Sequence, residues 1–196
     1  MNENSSRLCA SHAAHQKPRL RHILAGSGTT ALRSVVLYMI VYAATNLGVF
    51  AIILAVANKT RSGEISSYGG LFSYAPALGV LMTLFLASLA GIPPLGGWIA
   101  KFVAFQSLIQ SQSAWGYALA IVGAVNSVVA FGYYGNVMRE IWMRPVPDED
   151  VTPILVPGSL KLALVITAGA TLVFGILPSV GLQFADLAEI AGAIIR

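Results

Sequence analysis

Charged side chains make up only 10% of this 196-residue chain, and it carries a single cysteine. Cys9 alone can form neither an internal disulfide nor a cysteine-ligated cluster. Glycine-rich phosphate loops, nucleophile elbows and paired carboxylates are missing too, which argues against a catalytic centre of the soluble type. The basic N-terminal stretch has no interleaved aromatics, so no nucleic-acid partner is expected. What abounds is apolar: 56% of residues, with mean hydropathy +0.73. That composition describes an all-α membrane protein lying in the lipid bilayer. At about 20 residues per crossing, the length allows four or five spans.

The net charge of +4 is unevenly placed. Arg7, Lys17, Arg19, Arg21 and Arg33 crowd the start, with Glu3 as the only acid among them. Such a bias suits anionic lipid or the positive-inside rule. All three histidines lie in the same stretch. His12 and His15 are three apart, but no acid or second cysteine joins them, so a solvated arm is expected and no metal site. The chain divides into a basic arm at 1–32, expected to be non-native or disordered, a transmembrane helical domain at 33–178, and a short amphipathic segment at 179–196. In the last, Leu187, Ile190, Ala191 and Ile194 recur at helical spacing.

The first span runs from Val35 to Ala57. Tyr38, Tyr42 and Asn46 recur on it every four residues and share a helical face. That polar stripe is expected to point inward, either for helix-to-helix hydrogen bonding or as a wet, proton-carrying contact. Later spans are expected over Trp115 to about Trp142, carrying Asn126, Ser127, Tyr133 and Tyr134, and over Lys161 to Leu177. Asn126 and Ser127 are suited to bonding across helices, and the two tyrosines to an aromatic belt.

The most informative stretch lies between these spans. Ala77 to Ile92 is apolar for only about 24 Å of helix, short of the ~30 Å hydrocarbon core. Pro93, Pro94, Gly96 and Gly97 then break the helix, and Lys101 follows in a second short apolar segment. A broken helix at membrane depth must be buried in protein or line a wet cavity. A lysine there costs about 2.5–3.5 kcal/mol on insertion scales and marks an ion pathway. Burial disfavours its charged form, which brings proton exchange within reach. The plainer alternative is a lysine that snorkels to the headgroups. The segment is either two short spans or one interrupted element. With five spans and an inner N-terminus, eight cations fall inside and only Lys59, Arg61 and Arg196 outside, which favours two short spans.

Three runs carry a resemblance: Val41-Tyr42-Ala43-Ala44-Thr45-Asn46-Leu47-Gly48-Val49-Phe50-Ala51, Ser88-Leu89-Ala90-Gly91-Ile92-Pro93-Pro94-Leu95-Gly96-Gly97-Trp98-Ile99-Ala100-Lys101-Phe102, and Val125-Asn126-Ser127-Val128-Val129-Ala130-Phe131-Gly132-Tyr133-Tyr134. Residues 33–196 resemble the C-terminal part of the antiporter-like subunit N of bacterial NADH-quinone oxidoreductase, respiratory complex I. The resemblance implies the later helices of a fourteen-helix protein, in a multi-pass bacterial cell membrane. It implies other membrane subunits of the complex as partners and an indirect link to the quinone pool. It also implies that NADH, flavin, iron–sulfur clusters and quinone belong to other subunits, with no cofactor in this chain. Lys101 then falls on the family's lysine in the second broken-helix region, on the outlet side of a proton half-channel. The polar pathway beside it would draw on Tyr38, Tyr42, Asn46 and Asn126.

The family's glutamate–lysine pair and central lysine have no counterpart here, so this chain alone is not expected to be catalytic. Around His12 and Lys17 the arm departs from the family, in the manner of a shifted reading frame or a different start. Two other readings stay open. One is a subunit of a multi-subunit cation/proton antiporter; the other is an inactive truncated remnant.

Overall fold

Each helix here starts or stops where the sequence withdraws the means to continue. The computed structural model describes the backbone of residues 3–146, 150–177, 179, 180 and 183, and side chains within these from Leu32 onward. The amphipathic segment at 187–194 and the side chains of the basic arm therefore lie outside the described residues. Helix α1 is Glu3–Thr60, followed by a 3-10 turn at Ile65–Tyr68 and the single-turn α2 at Leu71–Tyr74. Then come α3 (Pro76–Ala90), α4 (Gly96–Gln110), α5 (Ala114–Met143) and α6 (Gly158–Ile176). Helix α1 ends at Arg61, whose φ of 55° is left-handed and whose N–H donates to the Ala57 carbonyl at 2.9 Å. Pro76 opens α3 at the position where its missing N–H costs nothing. Ser113 caps α5 by accepting from the Gly116 N–H at 2.9 Å.

Three helical stretches among the described residues are long and apolar enough to cross a membrane: Leu32–Thr60, Ala114–Met143 and Gly158–Ile176. Helices α3 and α4, of 15 residues each, are individually too short, at about 22 Å. Packing shows how they are used. The Phe85 ring of α3 lies against Gly48 of α1, and Leu78 and Met82 share a core with Ile52 and Val56. Gly96 of α4 meets Val41, and Ala100 joins Leu37 and Val41. Advancing along α3 and then α4 thus retreats steadily along α1. The two half-helices lie end to end as one interrupted crossing, antiparallel to α1.

This arrangement corrects the charge count made from sequence. Counting two short spans put Lys59 and Arg61 opposite Arg139, Arg144 and Lys161. The structure brings all five to one end. Lys59 of α1 donates to the backbone carbonyls of Asp150 (3.0 Å) and Thr152 (2.6 Å), and its ammonium sits 4.0 Å from the centre of the Tyr74 ring. Gly70 donates to the Glu140 carbonyl, and the Trp142 indole of α5 reaches Thr83 of α3 at 2.8 Å. Arg144 pairs with Glu140 at 3.4 Å. Burial pushes the Tyr74 phenol up from its ordinary value, with the Asp150 charge adding to the effect. At this end Asp150 is held below the usual carboxylate range, first by the Thr152 hydroxyl and N–H and then by Lys59.

The outer face of α5 carries Trp115, Ile121, Val128 and Val129, all largely exposed. An apolar face turned outward is what lipid or a neighbouring membrane chain accepts.

Candidate functional site

The corner between α3 and α4 settles a backbone account. The last four carbonyls of a helix have no partner within it. At α3 these belong to Ala87, Ser88, Leu89 and Ala90. Gly91, in the left-handed region at φ 92°, donates its N–H to Ser88 O at 2.9 Å, and Ile92 donates to Ala87 O at 3.0 Å. That pair of bonds is a Schellman closure. The remaining two carbonyls, Leu89 and Ala90, accept from the Lys101 ammonium at 2.9 and 3.1 Å. Lys101 therefore completes the end of α3 from the second turn of α4, where the negative end of the α3 dipole meets its charge.

The first turn of α4 is satisfied in the same manner. Leu95, which precedes it, has no capping side chain. Instead the fully buried Ser88 hydroxyl of α3 accepts from the Gly97 N–H at 3.0 Å. A side-chain carbon on Gly97 would overlap the Ser88 carbonyl. From the other side α6 presses its backbone at Gly175 onto Pro94 and Leu95. The Pro93–Pro94 peptide is cis.

The depth of this corner follows from its neighbours on α1. It sits between the levels of Val41 and Gly48, about 14 Å along the helix from Leu32 and about 18 Å from Thr60. Lys101 does not snorkel: its side chain folds back onto a corner in the middle of the crossing.

Beside it lies a cavity of about 320 Å³. Lys101 lines it together with Tyr38, Tyr42 and Thr45 of α1, Ser88 of α3, and Asn126, Ser127 and Tyr134 of α5. The Thr45 and Ser127 hydroxyls donate to their own helices, to Val41 O (2.7 Å) and Gly123 O (2.9 Å). Their lone pairs are left to the cavity. At roughly 30 Å³ per water, the space accommodates several.

Of the sequence candidates, the structure gathers Lys101, Gly97, Tyr38, Tyr42 and Asn126 around this cavity. Asn46 does not join them; its amide turns back to the Tyr42 carbonyl at 2.8 Å. The stripe expected to point inward is rotated off the packed face, which Leu37, Val41 and Thr45 form instead. Tyr38 and Tyr42 stack on each other at 5.9 Å, and Tyr42 stays 47% exposed. Thr45 and Ser88 escaped sequence reasoning because a lone hydroxyl among apolar residues carries no periodic signal. Tyr134 lines the cavity, whereas Tyr133 is exposed. Among the described residues no group of three or more metal-ligating side chains occurs.

The family description NADH:quinone oxidoreductase/Mrp antiporter, TM matches residues 20–127, which include the corner, Lys101 and Asn126. The match begins inside the basic arm. Relatives include NADH-quinone oxidoreductase subunit N of Dehalococcoides mccartyi, 40% identical over 79% of this chain and 31% of its own length. The subunit N of Trichlorobacter lovleyi is 38% identical over 83% of this chain and 33% of its own. Subunit N 2 of Rhizobium meliloti is 35% identical over 97% and 39%. The chain thus spans about a third of the length of the curated relatives it matches. With the matched region holding the interrupted helix and its lysine, the chain belongs to the NADH:quinone oxidoreductase/Mrp antiporter transmembrane family.

Proposed function

We propose that this chain is part of the proton-translocating membrane arm of an NADH-quinone oxidoreductase of the subunit N kind, with Lys101 as the group that takes up and releases the proton. It works in the bacterial plasma membrane beside other membrane subunits of that complex. NADH, flavin, iron–sulfur clusters and quinone are handled by those other subunits.

The observation that carries this reading is the pair of bonds from the Lys101 ammonium to Leu89 and Ala90 at mid-crossing. An ammonium has three hydrogens. Two are spoken for, and among the described residues the third has no protein acceptor. A neutral amine retains two, so the proton can leave for the cavity without dismantling the end of α3. The hydroxyls and amide around the cavity supply the acceptors a proton needs on its way. The relatives' subunit N names support the oxidoreductase over a cation/proton antiporter.

The test uses the assembled oxidoreductase and reads quinone reduction and proton pumping together. In Lys101→Met pumping per NADH is expected to collapse. Lys101→Arg preserves the charge and the carbonyl bonds, but a guanidinium does not release its proton. Its pumping is expected to fall as far as that of the Met variant. Full pumping in either variant, or copurification with antiporter subunits instead of the quinone-reducing complex, overturns the proposal.

A further inference from the structure

At the cation-rich end a second cavity, about 450 Å³, opens between α3 and α6. Its walls are hydrocarbon: Leu78 and Leu81 on α3, Leu164 and Val165 on α6, with Ile154 and Val156 of the connecting strand of chain above them. One cation, Lys161, stands on its lining. The neighbouring cations are committed elsewhere, Lys59 to Asp150 and Arg144 to Glu140. Lys161 is exposed, and among the described residues its side chain makes no ion pair or hydrogen bond. It lies in the first turn of α6, where the unpaired N–H groups of the helix start add to the attraction for an anion.

We infer that this groove seats an anionic glycerophospholipid, its phosphate at Lys161 and one acyl chain along Leu78, Leu81, Leu164 and Val165. Both halves of the ligand are required by the geometry. Lys161 marks the end of the crossing, level with Lys59 and Tyr74, while the apolar walls run from there toward the membrane centre. A free phosphate uses the cation and leaves the walls bare. A neutral lipid fills the walls and leaves the cation unanswered. A basic group beside an apolar groove at the membrane boundary recognises an anionic lipid on these terms. The inference stands apart from the role of Lys101, which lies at another depth and lines another cavity.

Native mass spectrometry of the protein purified in neutral detergent tests it, with phosphatidylglycerol and phosphatidylcholine of identical chains. Retention of phosphatidylglycerol is expected to exceed that of phosphatidylcholine by about fivefold, the factor one interfacial cation supplies. Lys161→Met is expected to bring the two to parity. Val165→Trp, a change at a residue 68% exposed and thus tolerated by the fold, is expected to reduce retention of both by filling the groove. Equal retention by the unmodified protein overturns the inference, as does undiminished preference in Lys161→Met. Undiminished retention in Val165→Trp, or displacement of the lipid by glycerol phosphate at comparable concentration, assigns a soluble-anion site and overturns it too.

Discussion

Removing the Ser88 hydroxyl isolates a bond that joins the two half-helices. Ser88→Ala deletes the acceptor of the Gly97 N–H, a 3.0 Å bond at a fully buried side chain. A buried donor left without a partner costs about 1–3 kcal/mol. Hydrogen bonds between transmembrane helices average nearer 0.6 kcal/mol, because freed groups find other partners. Here the upper range is expected. The donor is main chain in the first turn of α4, and Leu95 offers no side chain in exchange. A loss of that size lowers the melting temperature by roughly 2–12 °C in a protein of this length. The assay is thermal unfolding in mild detergent, with amide exchange read at Gly97. Thr171→Val is the control. Its hydroxyl is equally buried but bonds only to Thr167 O of its own helix, at 2.8 Å. Exchange at Gly97 is expected to accelerate in Ser88→Ala alone. If Ser88→Ala melts no lower than Thr171→Val and Gly97 exchange is unchanged, the bond does not hold the corner together.

Two further outcomes follow from the packing and from the charged end. Gly175→Ala forces a methyl into the backbone of Pro94, Leu95 and Gly96, so about 1–3 kcal/mol of destabilisation is expected in the same melt. Gly169→Ala on the same helix meets open space and is expected to be neutral or to stabilise by up to ~1 kcal/mol. The Asp150 carboxyl titrates below its ordinary 3.8 because Thr152 and Lys59 favour its anion. Its contribution to holding the 150–157 segment is therefore complete above that value and lost as pH falls through the lowered one. Protease nicking of this segment is expected to rise below pH ~4 in the native chain and to be flat with pH in Asp150→Asn; identical acid profiles remove the role given to this carboxylate.

Sequence alone revealed the first long apolar crossing and the break at Pro93–Gly97 with a lysine just beyond it, because each is written in consecutive residues. It could not reveal how the halves are laid out. Lengths of 15 residues fit two shallow spans and one interrupted crossing equally well, and only the contacts of Gly48 and Val41 decide between them. Of the polar stripe on α1, Tyr38 and Tyr42 do reach the cavity beside Lys101, and Asn46 does not. Polarity drew attention to Tyr38, Tyr42 and Asn46, yet a threonine that bonds its own backbone can be buried as readily as a valine, so Thr45 lies on the packed side. Ser88 was invisible because its partner lies nine positions away across a turn whose shape the sequence does not specify.

The contact of Gly175 with Pro94 also bears on assembly order. Translation proceeds from the N-terminus, so Lys101 and its carbonyl partners enter the bilayer well before α6 has been synthesised. Until α6 arrives, the bend lacks the contact of Gly175 with Pro94 and Leu95. The setting of Lys101 is thus completed only once α6 has been made, and a nascent chain stalled before residue 175 would leave that corner open on one side.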